Sequence, residues 1–293
     1  MPIQQVDVTE IGTVARKQLD SLPEASVVGA TSRGLFVRLS NEWVIFVSSE
    51  TFRGPLTLNA PAVGGVLGRL GSGSAVIITP GQVKIPDAGV IIQMQAARSW
   101  EAQPPARQAA PPAERAKYLS QVAREALTLG RVSPVSELLP VLLGSVAPTR
   151  VGENPIYDRL NRLTEAYKAL QLGEIAVQLE ALLGLGGGLT PSGDDLIVGF
   201  LLTVKRWGRI LAPGLDLAPL TSAILPTAYR KTTMLSANLI ECALDGGANE
   251  RLLLALDGIL TGEPDPATCA ALLASWGNTS GLDALAGMAL AAA

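Results

Sequence analysis

The alternation of apolar and polar residues changes character after the first hundred positions. Before that point, short apolar runs are separated by turn-forming dipeptides such as Pro80-Gly81 and Pro86-Asp87. We expect strands within residues 26–39, 42–48, 56–59, 75–79, 82–85 and 90–95, preceded by one helix at residues 8–21. Residues 26–39 form either a strand pair or one long bent strand. Strands at this spacing predict a small barrel or sandwich.

Helical periodicity dominates the remainder of the chain. Residues 101–113 are rich in Pro, Ala and Gln without apolar periodicity, which is typical of a linker or of an extended crossing segment. The Leu- and Ala-rich stretches that follow are bounded by Gly or Pro and predict helices. They span residues 114–129, 135–144, 155–172, 174–183, 194–207, 217–229, 233–244, 250–261, 266–276 and 281–292. The expected fold class is α+β, with a β-rich N-terminal barrel or sandwich at 1–100 and an all-α C-terminal domain at 114–293.

Composition narrows the classes of function. Hydrophobic residues make up 48% of the 293 residues and charged residues 17%, which excludes a disordered chain. The net charge of -3 gives no basic surface, so nucleic acid is not an expected partner. The apolar run at 196–204 is shorter than the roughly 20 residues that span a bilayer. The N-terminus lacks a signal-peptide pattern, and we therefore expect a cytoplasmic protein that does not bind membranes.

The chain contains no histidine. A Ser-His-Asp triad, a Cys-His pair and a His-ligated zinc are therefore excluded. Acid–base chemistry must come from carboxylates, Lys, Tyr or Cys, and any metal would be a hard, oxygen-ligated ion such as Mg²⁺. Cys242 and Cys269 lack zinc-site spacing, and we expect both thiols to be buried and reduced.

The sequence GLGGGLTPSGDD at residues 184–195 is the main candidate for function. Its glycines permit positive φ and close approach of the backbone to a ligand. The helix that follows is apolar nearly all round, so the loop lies at the positive end of a buried helix and suits an anion. Either Thr190 is the N-cap with Pro191 at N1, or Ser192 is the N-cap with Asp195 at N3. The alternative is a tight interhelix turn whose carboxylates serve only the helix dipole.

Two later segments resemble parts of a binding site. GNTSGLD at residues 277–283 repeats the S-G-x-D pattern of residues 192–195, and each pattern opens a predicted helix. The two helix starts either converge on one anion or are independent capping boxes. Arg230 and Lys231 stand beside the hydroxyls of Thr232 and Thr233, a combination that suits phosphate or carboxylate. The alternative for this segment is a solvated helix start.

The candidate site residues fall into two groups. Asp194 and Asp195 are candidates for catalysis and for holding Mg²⁺. The candidates for binding a small anion are Gly186, Gly187, Gly188, Thr190, Ser192, Gly193, Arg230, Lys231, Thr232, Thr233, Ser236, Asn278, Thr279, Ser280, Gly281 and Asp283.

Three motifs in order, GLGGGLTPSGDD, TTxxS and GxTSGxDxLxG, together resemble the AllH-type family. That family was long catalogued as a domain of unknown function and is associated with oxamate carbamoyltransferase in anaerobic allantoin (purine) breakdown. The resemblance covers the last half of the chain. It implies carbamoyl transfer between carbamoyl phosphate and oxamate, giving oxalurate and phosphate, and assembly with other carbamoyltransferase subunits. The family often has His where this chain has Asn278.

The resemblance also implies which residues matter. It carries over Gly186, Gly188, Thr190, Ser192, Gly193, Asp194, Asp195, Thr232, Thr233, Ser236, Ser280, Gly281 and Asp283. The signatures of classical transcarbamoylases, S-T-R-T and H-P-x-Q, are absent.

Two other functions stay open at this point. A Mg²⁺-dependent, nucleotide- or phosphate-binding phosphotransferase fits a glycine loop that enters a helix beside two Asp residues, although the Lys-Ser/Thr ending of a P-loop is missing. A non-catalytic subunit that binds a small anion fits the absence of histidine.

Overall fold

The computed structural model describes residues 3–65, 71–147 and 154–292. The chain divides into two compact units, Met1–Ala102 and Gln103–Ala293. The first unit is built mainly of strands and the second of helices. The predicted α+β class is therefore confirmed.

The first unit is a curled half-barrel sheet rather than a sandwich. Its strands in the described residues are β1 (Gln4–Asp7), β2 (Glu10–Gly12), β3 (Ala25–Thr31), β4 (Gly34–Leu39), β5 (Val44–Ser48), β6 (Thr57–Asn59), β7 (Ala75–Thr79), β8 (Gln82–Ile85), β9 (Val90–Gln93) and β10 (Arg98–Trp100), with one helix, α1 (Thr13–Asp20). The strand order is β1-β9-β8-β7-β3-β4-β5-β6-β2-β10. Alternate residues of the central strands, such as Val27, Leu35, Val37, Ile45 and Val47, form its core.

The predicted strand pair at 26–39 is confirmed as the antiparallel hairpin β3–β4. The predicted helix at 8–21 is wrong in its first part, because this segment pairs with two other strands before α1 begins. Val8 donates its N–H to the Gln93 carbonyl, and Thr9 donates to the Asn59 carbonyl, both over 2.8 Å. The segment thus crosses from β9 to β6, and long-range strand pairing overrides its local helical preference.

The second unit consists of α2 (Pro112–Leu129), α3 (Leu139–Leu142), α4 (Pro155–Lys168), α5 (Leu172–Leu182), α6 (Ser192–Leu211), α7 (Ala218–Lys231), α8 (Met234–Leu244), α9 (Glu250–Thr261), α10 (Pro266–Ala274) and α11 (Ser280–Ala292). The helix expected at 135–144 is instead a 3-10 turn, Ser136–Leu138, followed by the single turn α3. Pro140 lies in the first turn of α3, where it starts a new helix rather than continuing one. None of the described helices is both long and apolar enough to span a membrane.

Helices α6 and α11 pack backbone against backbone through two glycines. A β-carbon on Gly199 would collide with the Ala284 carbonyl oxygen, and one on Gly287 would collide with the Leu196 carbonyl oxygen. Both helices are buried along most of their length. Because neither glycine carries a side chain, the two helices approach more closely than Leu or Ala would allow. Their N-terminal ends lie at the same end of the pair, since the hydroxyl of Thr190, just before α6, lies 3.2 Å from that of Ser280, the first residue of α11.

We predict that Gly199→Ala destabilises the protein by about 1–3 kcal/mol, because the added methyl group forces the two backbones apart. The matched control is Gly208→Ala in the same helix. Its β-carbon would meet only Val204 Cγ1, at an ordinary 3.6 Å. The control should stabilise the helix by about 0.5–1 kcal/mol through better helix propensity. Chemical denaturation of both variants measures the difference, and equal stabilities would contradict the proposed packing.

Candidate functional site

The structure brings the three candidate segments together. The Thr233 hydroxyl donates to the Leu189 carbonyl over 2.6 Å, which joins the start of α8 to the glycine loop, defined here as residues 184–191. The hydroxyls of Thr190 and Ser280 lie 3.2 Å apart, which joins the same loop to the start of α11. The N-terminal ends of α6, α8 and α11 therefore meet at one place.

The glycine loop presents backbone at its surface. Gly184, Gly186 and Gly188 have φ of +75°, +113° and +93°, values that L side chains rarely adopt. Residues 186–189 are exposed, and a β-carbon on Gly187 or Gly188 would meet nothing within 4 Å. The backbone N–H groups of residues 186–189 have no acceptor within the described part of the chain. The loop therefore offers a set of free donors to a ligand.

The start of α6 differs from both capping arrangements expected from the sequence. The N-cap is Pro191, without a side-chain cap hydrogen bond, so Ser192 is the first helical residue. The Asp194 side chain does not cap α6 and instead points back toward the glycine loop. Its Oδ1 accepts the Gly184 N–H over 2.8 Å, and its Oδ2 accepts the Thr232 hydroxyl. The Asp194 carboxylate therefore closes the glycine loop and ties it to the α7–α8 junction.

Asp194 stays buried despite its charge. Burial raises the pKa of its carboxyl, and the hydrogen bonds from Gly184 and Thr232, together with the nearby Ser236 hydroxyl, oppose that rise. Ser236 belongs to the first turn of α8. Its N–H donates to the hydroxyl of Thr233, the N-cap of that helix, over 3.1 Å. Thr233 is thus fully engaged as a helix cap and loop contact. Ser236 and Asp194 line the interior below the loop.

Asp195 is the most isolated carboxylate of the site. It is 1% exposed, and neither of its oxygens has a hydrogen-bond partner in the described residues. Burial raises its pKa well above the ordinary value, and the charges of Asp283 and Asp194 raise it further. The nearby hydroxyls of Ser280 and Thr190 partly oppose this rise. A buried carboxyl without hydrogen-bond partners can bind a proton or accept a hydrogen bond from a donor group.

Asp283 is its counterpart on α11 and is completely buried. Its Oδ1 accepts the Ser133 hydroxyl, whereas its Oδ2 has no partner in the described residues. Burial raises its pKa, and the hydroxyls of Ser133, Ser192, Thr279 and Ser136 oppose the rise, in that order. Because a buried carboxylate repels anions, Asp283 is better suited to a proton or a donor group than to the anion predicted from sequence.

Ser133 and Ser136 were missed by the sequence analysis. They stand in the segment SPVS before α3, and they bond to each other through the Ser133 N–H and the Ser136 hydroxyl over 2.9 Å. The one available signal is a pair of serines three residues apart at the start of a predicted helix, which ordinarily indicates a cap. Their contact with Asp283 spans 150 residues and is visible only in the fold.

Gly193 and Gly281 have a packing role. A β-carbon on Gly193 would collide with the Leu182 carbonyl at the end of α5, and one on Gly281 would collide with the Leu273 carbonyl in α10. Each glycine lets its helix begin directly against the end of the preceding helix. This requirement accounts for both glycines without a ligand.

The two cations lie at the surface. Arg230 and Lys231 form the exposed last turn of α7, and Arg230 Nη2 donates to Thr227 Oγ1 over 3.1 Å. Neither forms an ion pair with another described residue. The Lys231 carbonyl lies 2.8 Å from where a Gly184 β-carbon would be, so the backbone at the end of α7 lies close to the start of the loop. Asn278 is exposed in the turn before α11.

The described residues include no group of three or more His, Cys, Asp or Glu side chains able to hold a metal ion. For the predicted Mg²⁺ role, Asp194 and Asp195 therefore have no third acidic ligand among the described residues. Cys242 and Cys269 are free and buried, as expected.

The helical part that carries this site matches a known family. The family model described as oxamate carbamoyltransferase subunit AllH matches residues 182–292, which include the glycine loop and the helices α6, α8 and α11. The resemblance seen in the sequence motifs is confirmed over these residues. No solved structure matches the chain.

We predict that Thr232→Val loosens the glycine loop. The variant removes the hydroxyl that donates to Asp194, and a buried carboxylate without that donor should cost about 1–3 kcal/mol. Chemical denaturation should show the loss, and hydrogen exchange at residues 184–190 should become faster. Thr232→Ser, which keeps the donor, is the control. If both variants behave alike, Asp194 does not close the loop through Thr232.

Proposed function

We propose that this chain is a subunit of an oxamate carbamoyltransferase that acts with other carbamoyltransferase subunits in anaerobic allantoin (purine) catabolism. The reaction moves a carbamoyl group between carbamoyl phosphate and oxamate, with oxalurate and phosphate as the other pair. The observation that carries this proposal is the family match over residues 182–292. The matched segment supplies all three carboxylates of the site.

Anion binding is the task of the glycine loop. Carbamoyl phosphate and oxamate are both small anions, and the loop offers unpaired N–H groups near the positive ends of three helices. As the C–O bond to phosphate breaks, negative charge grows on the leaving oxygen, and these donors stabilise it. Arg230 and Lys231 are exposed near the loop and add positive charge there.

Proton transfer is the task of the buried carboxyls. When the oxamate nitrogen forms its bond to the carbamoyl carbon, the electron pair of the breaking C–O bond leaves with phosphate. The nitrogen must then lose a proton, and Asp195 is the buried carboxyl with two unpaired oxygens. Asp194 is a positioning residue in this scheme, because both of its oxygens hold the loop.

The activity test uses the purified chain together with its partner subunits. Phosphate should be released from carbamoyl phosphate only when oxamate is present. Asp195→Asn should lower kcat by about 100-fold or more, because the proton acceptor is lost. Asp158→Asn, an exposed change in α4, is the control. Absence of oxamate-dependent release with the full set of subunits would contradict the proposal. Undiminished release with Asp195→Asn would leave this chain a non-catalytic subunit.

A second test concerns the anion site and needs no partner subunit. Gly187→Leu should fold normally, because a side chain there meets open space, yet it should crowd the loop N–H groups. We expect phosphate, carbamoyl phosphate or oxamate to raise the melting temperature of the unmodified protein and not that of Gly187→Leu. Gly173→Leu in α5, which also faces open space, is the control. Equal stabilisation of both variants would place the anion elsewhere.

A further inference from the structure

Helices α6 and α11 begin with the same eight-residue pattern, S-G-x-D-x-x-x-G. It covers residues 192–199 in α6 and residues 280–287 in α11. The Ser of each pattern is the first residue of its helix. The first glycine of each pattern packs against a carbonyl of the helix before it. The first two positions of the two patterns thus have equivalent surroundings.

The last glycines show that the two helices are related by an approximate two-fold axis. Gly199 packs on the carbonyl of Ala284, and Gly287 packs on the carbonyl of Leu196. Ala284 and Leu196 occupy the same position of the pattern, directly after its Asp. The contact is therefore reciprocal.

This relation makes the two carboxyls face each other. Asp195 stands four residues before Gly199, and Asp283 stands four residues before Gly287. Residues four apart share one face of a helix, so each Asp lies on the face that contacts the other helix. The serine hydroxyls show the same reciprocal relation. Ser280 of α11 lowers the pKa of Asp195 in α6, and Ser192 of α6 lowers the pKa of Asp283 in α11.

The two carboxyls have more acceptor oxygens than the described residues have donors bonded to them. Both oxygens of Asp195 and Oδ2 of Asp283 are buried and unpartnered among the described residues. The charges that raise the pKa of Asp195 belong to Asp283 and Asp194, both acidic. Two ionised carboxylates in this place would repel each other, whereas the positive ends of α6 and α11 stabilise a single negative charge.

A path of hydroxyls leads from this pair to the surface. Thr190 ends the exposed part of the glycine loop and is itself half-buried. Its Oγ1 lies 3.2 Å from Ser280 Oγ, and the Ser280 hydroxyl lies near enough to Asp195 to lower the pKa of its carboxyl, although it forms no hydrogen bond with either Asp195 oxygen. A hydroxyl can accept one proton and donate another, so the two side chains can pass a proton without becoming charged.

We infer that Asp195 and Asp283 share a single proton, and that the Thr190 and Ser280 hydroxyls relay protons between this pair and a ligand on the glycine loop. The sharing depends only on the fold, whereas the relay rests on the proposed function. In the transfer, the oxamate nitrogen gives its proton to Thr190 Oγ1, Thr190 gives its own to Ser280 Oγ, and Ser280 gives its own to the carboxylate pair. The C–N bond forms, and the C–O electron pair leaves with phosphate.

The shared proton is tested by the pH dependence of stability. An unfolded Asp releases its proton above about pH 4, whereas the folded pair keeps one. The melting temperature should therefore fall as the pH rises from about 5 to 8, by the slope expected for one bound proton. Asp195→Asn and Asp283→Asn should each remove that one-proton contribution completely, because Asn supplies the donor permanently. The double variant should remove no more than either single variant, and Asp158→Asn should leave the slope unchanged.

Two outcomes would overturn the sharing. Two independent protons would make each single variant remove part of the slope and the double variant remove the sum. An unchanged slope in the single variants would show that the pair holds no proton. A melting temperature raised by Mg²⁺ in the unmodified protein, and not in Asp195→Asn, would place a cation there instead.

The relay is tested in the active complex. Thr190→Val and Ser280→Ala should each lower kcat by about 100-fold, with KM changed far less, and Thr190→Ser should restore most of the loss. Both relay variants should keep the pH slope of stability, because they leave the proton count unchanged. Full activity of Thr190→Val and Ser280→Ala would overturn the relay. An unmodified complex without any carbamoyl transfer would instead contradict the proposed function, while the stability result would still decide the shared proton.

Discussion

The close approach of α6 and α11 is the constraint on which the rest of the helical unit depends. Two glycines, Gly199 and Gly287, remove the side chains that would separate the helices. The same contact sets two parallel helix dipoles side by side, which is unfavourable unless negative charge lies at their positive ends. Asp195 and Asp283 supply that charge from within the contact. One repeated pattern thus supplies both the glycines that let the helices pack closely and the carboxyls that offset their dipoles.

Two adjacent carboxylates receive different tasks because a helix turns about 100° per residue. Asp194 points toward the glycine loop and the α7–α8 junction, where a backbone N–H and a hydroxyl hold it. Asp195 points toward α11, where no donor meets its oxygens in the described residues. One residue therefore shapes the loop, and its neighbour retains capacity to bind a proton. In the sequence the two are indistinguishable.

Much of the fold could be predicted from the chain alone. Strands at 75–79 and 82–85 and the helix at 250–261 have the predicted bounds, because local turn and cap signals fix them. The short strands β1, β2 and β10 were missed, because their hydrogen bonds come from segments far away in the sequence. Three or four residues cannot show a period of two clearly enough to reveal a strand. The expected helix at 135–144 is broken because Pro140 starts a new turn.

The sequence by itself determined which residues are the candidates for the chemistry. The glycine loop, the two S-G-x-D patterns and the absence of histidine were all visible, and they led to the family that matches residues 182–292. Only the tertiary structure decided how those residues divide their roles. It set Asp283 opposite Asp195, brought Ser133 to Asp283 across 150 positions, and left Arg230 at the surface. The physical reason is that local patterns fix which way a side chain leaves its own helix, whereas its partner depends on which helix packs there.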